Sequence, residues 1–150
     1  MRKLIAGVDD QGRSCLVETA DVAPAAVARH GVSVARVFLT DESPPGPPPP
    51  GLAEAVDVGL APGVVRWMVV EHQPHEVHDG PVTSTTMHHT NAFDFVFVQD
   101  GTAKLVLHDG EHEVVGGDFV VTPGVDHAWK AGPNGCRLVV VSVGMQPRGS

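Results

Sequence analysis

The chain has few aromatic residues, few basic ones and almost no cysteine. Of 150 residues, five are Phe, two are Trp and none is Tyr. The two cysteines, Cys15 and Cys136, stand far apart and form no CxxC pair. Two such residues exclude a disulfide framework, and reduced thiols in a cytoplasmic protein are expected. Ten Lys and Arg face eighteen Asp and Glu, for a formal net charge of −8. The basic residues are scattered, with no patch. A protein of that sign is repelled by phosphate backbones and anionic membranes, so neither nucleic acid nor membrane is an expected partner. Long apolar runs are missing too. The N-terminal run is only Leu4 to Val8, too short for a signal-peptide core. The run from Leu138 to Val143 is strand-sized and broken by Ser142, so no segment is expected to span a membrane.

What remains is a soluble globular composition, 42% hydrophobic and 19% charged. A chain of this length reads as one domain and can bury roughly 70% of its unfolded surface without covalent staples. Valine is abundant in the second half, and β-branched side chains favour pleated strands. Residues 1–60 read as an N-terminal extension. It has short strands at 3–9, 14–19 and 35–41, and a helical turn in "PAAVARHG", 24–31. The proline stretch "SPPGPPPPG", 43–51, reads as a surface connection. Its acidic flank, Asp41 and Glu42, offers no Lys or Arg to orient docking on a groove. Residues 61–150 read as strands at 64–72, 93–99, 103–108, 111–115, 118–122 and 137–143. Asp100-Gly101 ends one strand, and Asp109-Gly110 predicts a hairpin. Closely spaced short strands with Gly turns indicate a sandwich or barrel.

Nine histidines are many for this length, and five lie between residues 72 and 89. His75 and His78 occupy a polar turn-forming stretch; His30, His108 and His112 lie beside turns and read as surface. "MHHTNAFDF", 87–95, and "GGDFVVTPGVDHAW", 116–129, are different. Together they resemble the two motifs of the cupin superfamily. In the first motif His89 takes the second histidine position, Asp94 the carboxylate position and Gly101 the closing glycine. In the second, Gly116, Gly124 and His127 fit. Met87, Pro81, Thr122 and Ala131 depart from the family's usual His, Gly, Pro and Asn. A group of stand-alone bacterial cupins carries a similar pattern, matched here by His88, Thr90, Asp94 and Trp129.

The resemblance implies an all-β fold, a double-stranded β-helix or jelly-roll barrel with an N-terminal strand extension and an interior site. It implies His89, Asp94 and His127 as ligands of a divalent transition metal: Fe, Zn, Mn, Ni or Co. Two histidines and one carboxylate leave coordination positions open and suit Fe(II). Strand parity puts Met87 and His89 on one face and His88 on the other, while the stand-alone pattern favours His88; the ligand is one or the other. His88 or His72 is placed to move a proton. Arg66, Met68 and His72 share a parity on their strand, and Arg66 is suited to a substrate carboxylate. With Trp129, two residues after His127, Arg66 and Met68 are the candidate substrate contacts. The expected partner is a small molecule, acted on by dioxygenase, isomerase or cyclase chemistry; the alternative is a metal-free binding protein. If Asp94 faces inward, Phe93, Phe95 and Phe97 face outward and need cover. A homodimer is the expected cover, with the chain's own first 60 residues as the alternative.

Overall fold

Among the described residues of the computed structural model every regular element is a strand. The structure describes residues 1–27, 32–43, 45–49, 56–57, 59–74 and 87–147. In chain order the strands are β1 (Arg2–Val8), β2 (Ser14–Asp21), β3 (Ala25–Val27), β4 (Val32–Val34), β5 (Val56–Asp57), β6 (Val65–His72), β7 (His88–His89), β8 (Ala92–Leu107), β9 (Gly110–Val115), β10 (Phe119–Pro123) and β11 (Ala128–Gly144). Among the described residues no helix is long and apolar enough to cross a membrane. The all-β expectation therefore holds.

Seven strands make one mixed sheet in the order β2-β1-β10-β8-β11-β6, with β9 also on β8. The β1–β10 pair is parallel and the other pairs are antiparallel. The N-terminal strands thus belong to the same sheet as the strands of both motifs. Asp118, just before β10, fixes this join. It is 3% exposed and accepts hydrogen bonds from the Arg2 amide (3.0 Å), the Arg2 guanidinium (2.7 Å) and the Val115 amide (3.1 Å).

The long strands β8 and β11 form the frame, paired from Ala92–Gly144 to Val106–Ala128. Asp100-Gly101 was expected to end a strand, and the structure corrects this. The chain runs on through Gly101 at φ +80°, beside a register irregularity between Ala131 and Cys136. An irregularity of this kind bends a strand and re-aims it. The first part of β8 accordingly pairs with β10 and the second with β9. The predicted hairpin does form between β8 and β9. Leu107 faces Gly110, so its central residues are His108 and Asp109, one step earlier than expected.

Two further expectations are corrected. Ala25–Val27 is not helical but pairs with Val32–Val34; a turn this short cannot repay helix nucleation. Residues 35–40 join no ladder. They lie instead over the outer face of the sheet, where the Phe38 ring packs on Phe93 and Phe95 at centroid distances of 5.4 and 5.5 Å. Part of the cover for the phenylalanine row therefore comes from the chain itself. His30, His75 and His78, parts of the proline stretch and Pro81 lie outside the described residues.

Alternation along β8 sets the inner face. Asp94, Val96 and Val98 are buried, and Phe93, Phe95 and Phe97 are half-buried. Val96, Val98, Leu105 and Leu107 meet Leu4 and Ala6 of β1, Val114 of β9, Val120 of β10 and Leu138 and Val140 of β11 in one core. Met68 and Val70 of β6 pack against it. Inner-face residues from β1 and from β6, far apart in strand order, share that core, so the sheet curves around it. Each fully buried Leu or Val contributes about 1.5–3 kcal/mol.

The glycines give a test of this frame. Gly110→Ala forces a side chain into φ +135° with nothing within 4 Å, and is expected to cost about 1–3 kcal/mol of strain. Gly101→Ala adds a Cβ placed 2.3 Å from the Gly135 carbonyl oxygen, and is expected to cost more. Urea midpoints should fall in the order wild type, Gly110→Ala, Gly101→Ala. Equal midpoints for the two variants would contradict the bend at Gly101.

Candidate functional site

Two short segments with no shared sequence neighbourhood meet at His88 and His127. Each backbone amide donates to the other's carbonyl, both at 2.9 Å. This is an antiparallel hydrogen-bonded pair, and directly opposed residues project to the same side of a sheet. The two imidazoles accordingly stand face to face, with centroids 4.6 Å apart. The neighbouring pair must then project to the opposite side. His89 and Asp126 do so, with His89 Nδ1 3.2 Å from Asp126 Oδ1 and both residues buried.

His88 and His127 open onto a cavity of about 330 Å³. That size lies at the small end of ligand pockets. Arg66, Met68 and His72 of β6 line it, with Asp94 of β8 and Trp129 of β11. Seven of the eight residues singled out from the sequence thus line one space. The eighth, His89, does not. The expected alternation between His88 and His89 is present, and its phase is the one that sends His88 inward.

The remaining lining residues were not site candidates, although Thr90 belonged to the matched pattern. Thr90, Val70, Val96, Thr122, Leu138 and Val140 complete the wall. Thr122 had been visible only as a departure from a motif proline. Ser142 had been visible as the polar break in an apolar run, and its reason is now clear. It is fully buried, and its hydroxyl donates to Asp94 Oδ1 at 2.5 Å.

Burial sets the electrostatics. It raises the Asp94 carboxyl above the usual range, opposed by the Ser142 hydrogen bond and by the nearby Arg66 charge. Burial lowers the His127 imidazole to about 4, helped by His88 and opposed by the bond to Val125. His72 is lowered by burial and then by His88. His127 Nδ1 lies 2.9 Å from the Val125 carbonyl oxygen. A carbonyl can only accept, so Nδ1 carries the proton and Nε2 keeps its lone pair. An imidazole held in one tautomer by a backbone carbonyl is the usual state of a metal-binding or proton-accepting histidine.

For a metal, the donor chemistry fits in part. His127 offers a fixed lone pair, and His88 stands against it. Asp94 is instead bonded to Ser142. Among the described residues no group of three His, Cys, Asp or Glu side chains stands at metal-holding spacing. No protein-family model and no curated protein matches this sequence.

The lowered histidines make stability depend on pH with a definite sign. Below about pH 6.5 the unfolded chain protonates these imidazoles, whereas folded His127 stays neutral down to about 4. The unfolded state then binds more protons, so stability falls as pH drops through that window. The expected slope is up to about 1.4 kcal/mol per pH unit for each such histidine. Urea unfolding in EDTA between pH 7 and 4.5 should show a smaller loss in His127→Gln than in wild type. An identical loss would mean that His127 is not buried as a neutral group.

Proposed function

We propose that the chain is a single-domain cupin, its sheet rolled as a double-stranded β-helix, with a small-molecule site in the cavity beneath His88 and His127. One observation carries this reading: residues chosen from three separated stretches, 66–72, 88–94 and 127–129, line one small, largely apolar space. The reaction class follows from the donors. His88 and His127 would hold a divalent transition metal, with Asp94 as a third donor. Such a metal supplies Lewis-acid polarisation of an oxygen ligand. The chain's own residues do the rest. Trp129 and Met68 wall the ligand and exclude water. The Val125 carbonyl holds His127 in the tautomer that leaves Nε2 free to accept. His72, kept neutral by burial, is available to take a proton within the cavity. In this reading His88 replaces His89 as the ligand, and His89 supports the bridge from behind through Asp126.

A second reading is favoured by the spacing of the acidic and imidazole groups, which form no three-membered set at ligand distance. It is a binding protein without turnover, whose histidines hydrogen-bond the ligand directly.

Elemental analysis of the purified protein separates the two. Near-stoichiometric metal is expected in wild type and in His89→Ala. The variants His88→Ala and His127→Ala should bind it about 10–100-fold more weakly or worse, by analogy with losses in the shell around metal ligands. Metal retained equally by all four proteins would remove these ligands. Metal taken up by none under any loading condition would leave the binding reading.

A further inference from the structure

The register places four polar side chains in one row across four strands. Arg66 on β6 opposes Ser142 on β11, Ser142 opposes Asp94 on β8, and Asp94 opposes Thr122 on β10. Directly opposed residues hold their Cβ atoms about 4.5–5.5 Å apart on one face. Arg66, Asp94 and Thr122 all line the cavity, and Ser142 lies behind, bonded to Asp94.

Two members of this row lack the partner that burial demands. Thr122 is 1% exposed, and its Oγ1 has no hydrogen-bond partner among the described residues. The same is true of Arg66 Nε, which is itself buried. A buried hydroxyl or guanidinium N–H left unpaired costs about 1–3 kcal/mol, more when charged. Such groups are tolerated where a ligand or ordered water completes them. Both are donors on residues that line the same cavity, and one carries a positive charge. The next row inward is wholly apolar: Met68, Val140, Val96 and Val120. Leu138 and Val70 follow beyond it.

We propose that this row anchors the carboxylate of an amphipathic small molecule, with Arg66 Nε–H and Thr122 Oγ–H donating to it and the ligand's apolar body lying on Met68, Val96, Val140 and Trp129. The proposal rests on the interior-site reading above and names its ligand class. Geometry favours an anion over a cation or a neutral alcohol. Within this row Arg66 and Thr122 offer donors that have no partner among the described residues, whereas Asp94 Oδ1 already accepts from Ser142. A planar carboxylate takes two donors at once, which a hydroxyl group does less well. In a chain of net charge −8, such a local anion site has to be built by specific donors rather than by the overall field.

The test uses benzoate, benzylamine and benzyl alcohol as probes of one size, on the full chain at pH 7 in EDTA. A Trp67→Phe background removes the exposed indole, 77% accessible, and leaves Trp129 as the reporter. Benzoate should shift Trp129 emission saturably, at concentrations at least about 10-fold below those needed for the other two probes. Arg66→Gln should weaken benzoate about 10–100-fold. Thr122→Val is close in shape and removes an unpaired buried hydroxyl. It should weaken benzoate while leaving the ligand-free Tm unchanged or higher, which separates lost binding from lost folding. Benzylamine or benzyl alcohol binding as tightly as benzoate, or Arg66→Gln binding benzoate like wild type, would overturn the carboxylate anchor and leave the interior site standing. A Trp129 signal that no probe moves would overturn both.

Discussion

The paired backbone hydrogen bonds between His88 and His127 are the constraint on which the site depends. They join two segments that are separated by nearly forty positions of chain, and they decide which side chains share a side. With this register His88 and His127 project together, and His89 and Asp126 project together on the reverse. A slip of one residue would set His89 beside His127 or His88 beside Asp126, because side chains alternate at every position. The buried His89–Asp126 contact opposes that slip. Either slip would separate Asp126 from His89, and breaking a buried polar contact is costly. The contact on one side of the bridge thus fixes what is presented on the other.

Around this bridge the sheet sorts its polar groups by row. Across β6, β11, β8 and β10 the inner face is polar in the row of Arg66, Ser142, Asp94 and Thr122 and apolar in the row beside it. Burial then changes the character of each group. It lowers the His127 and His72 imidazoles, which favours their neutral form, and raises the Asp94 carboxyl. Imidazoles, a carboxyl and a guanidinium in one small cavity form a coherent environment for a polar-headed ligand. The long strands β8 and β11 hold it rigidly, since both run past the cavity and pair with each other along most of their length. Sites carried on such elements are positioned more sharply than sites on loops.

Much of this was legible in the sequence. Alternation in "FDFVFV" put Asp94 and the phenylalanines on opposite faces, because successive side chains of a pleated strand point to opposite sides. The same parity argument placed Arg66, Met68 and His72 on one face of β6, and the structure puts them in one cavity. Phase was harder to read. Alternation says that His88 and His89 differ, but only the register against residue 127 says which one faces inward, and register is a long-range property. Residues that matter through a cross-strand neighbour were also hidden. Ser142 looked like a flaw in an apolar run and Thr122 like a motif departure, and each acquires meaning only beside Asp94. Asp100-Gly101 misled because the Asp-Gly signal is local. A glycine at φ +80° serves a bend in a continuous strand as well as it serves a reversal. The segment 35–41 has strand-like composition, yet Phe38 is anchored by ring contacts without any ladder.

The most direct test of the account is the orientation of the two adjacent histidines, read by nuclear Overhauser effects between assigned imidazole protons in solution. The ring protons of His88 should show cross-peaks to those of His127, as expected for centroids 4.6 Å apart, and the His88 and His127 amides should exchange slowly with solvent. Cross-peaks linking His127 to the ring of His89 in place of His88, with a rapidly exchanging His88 amide, would contradict the register on which the cavity is built.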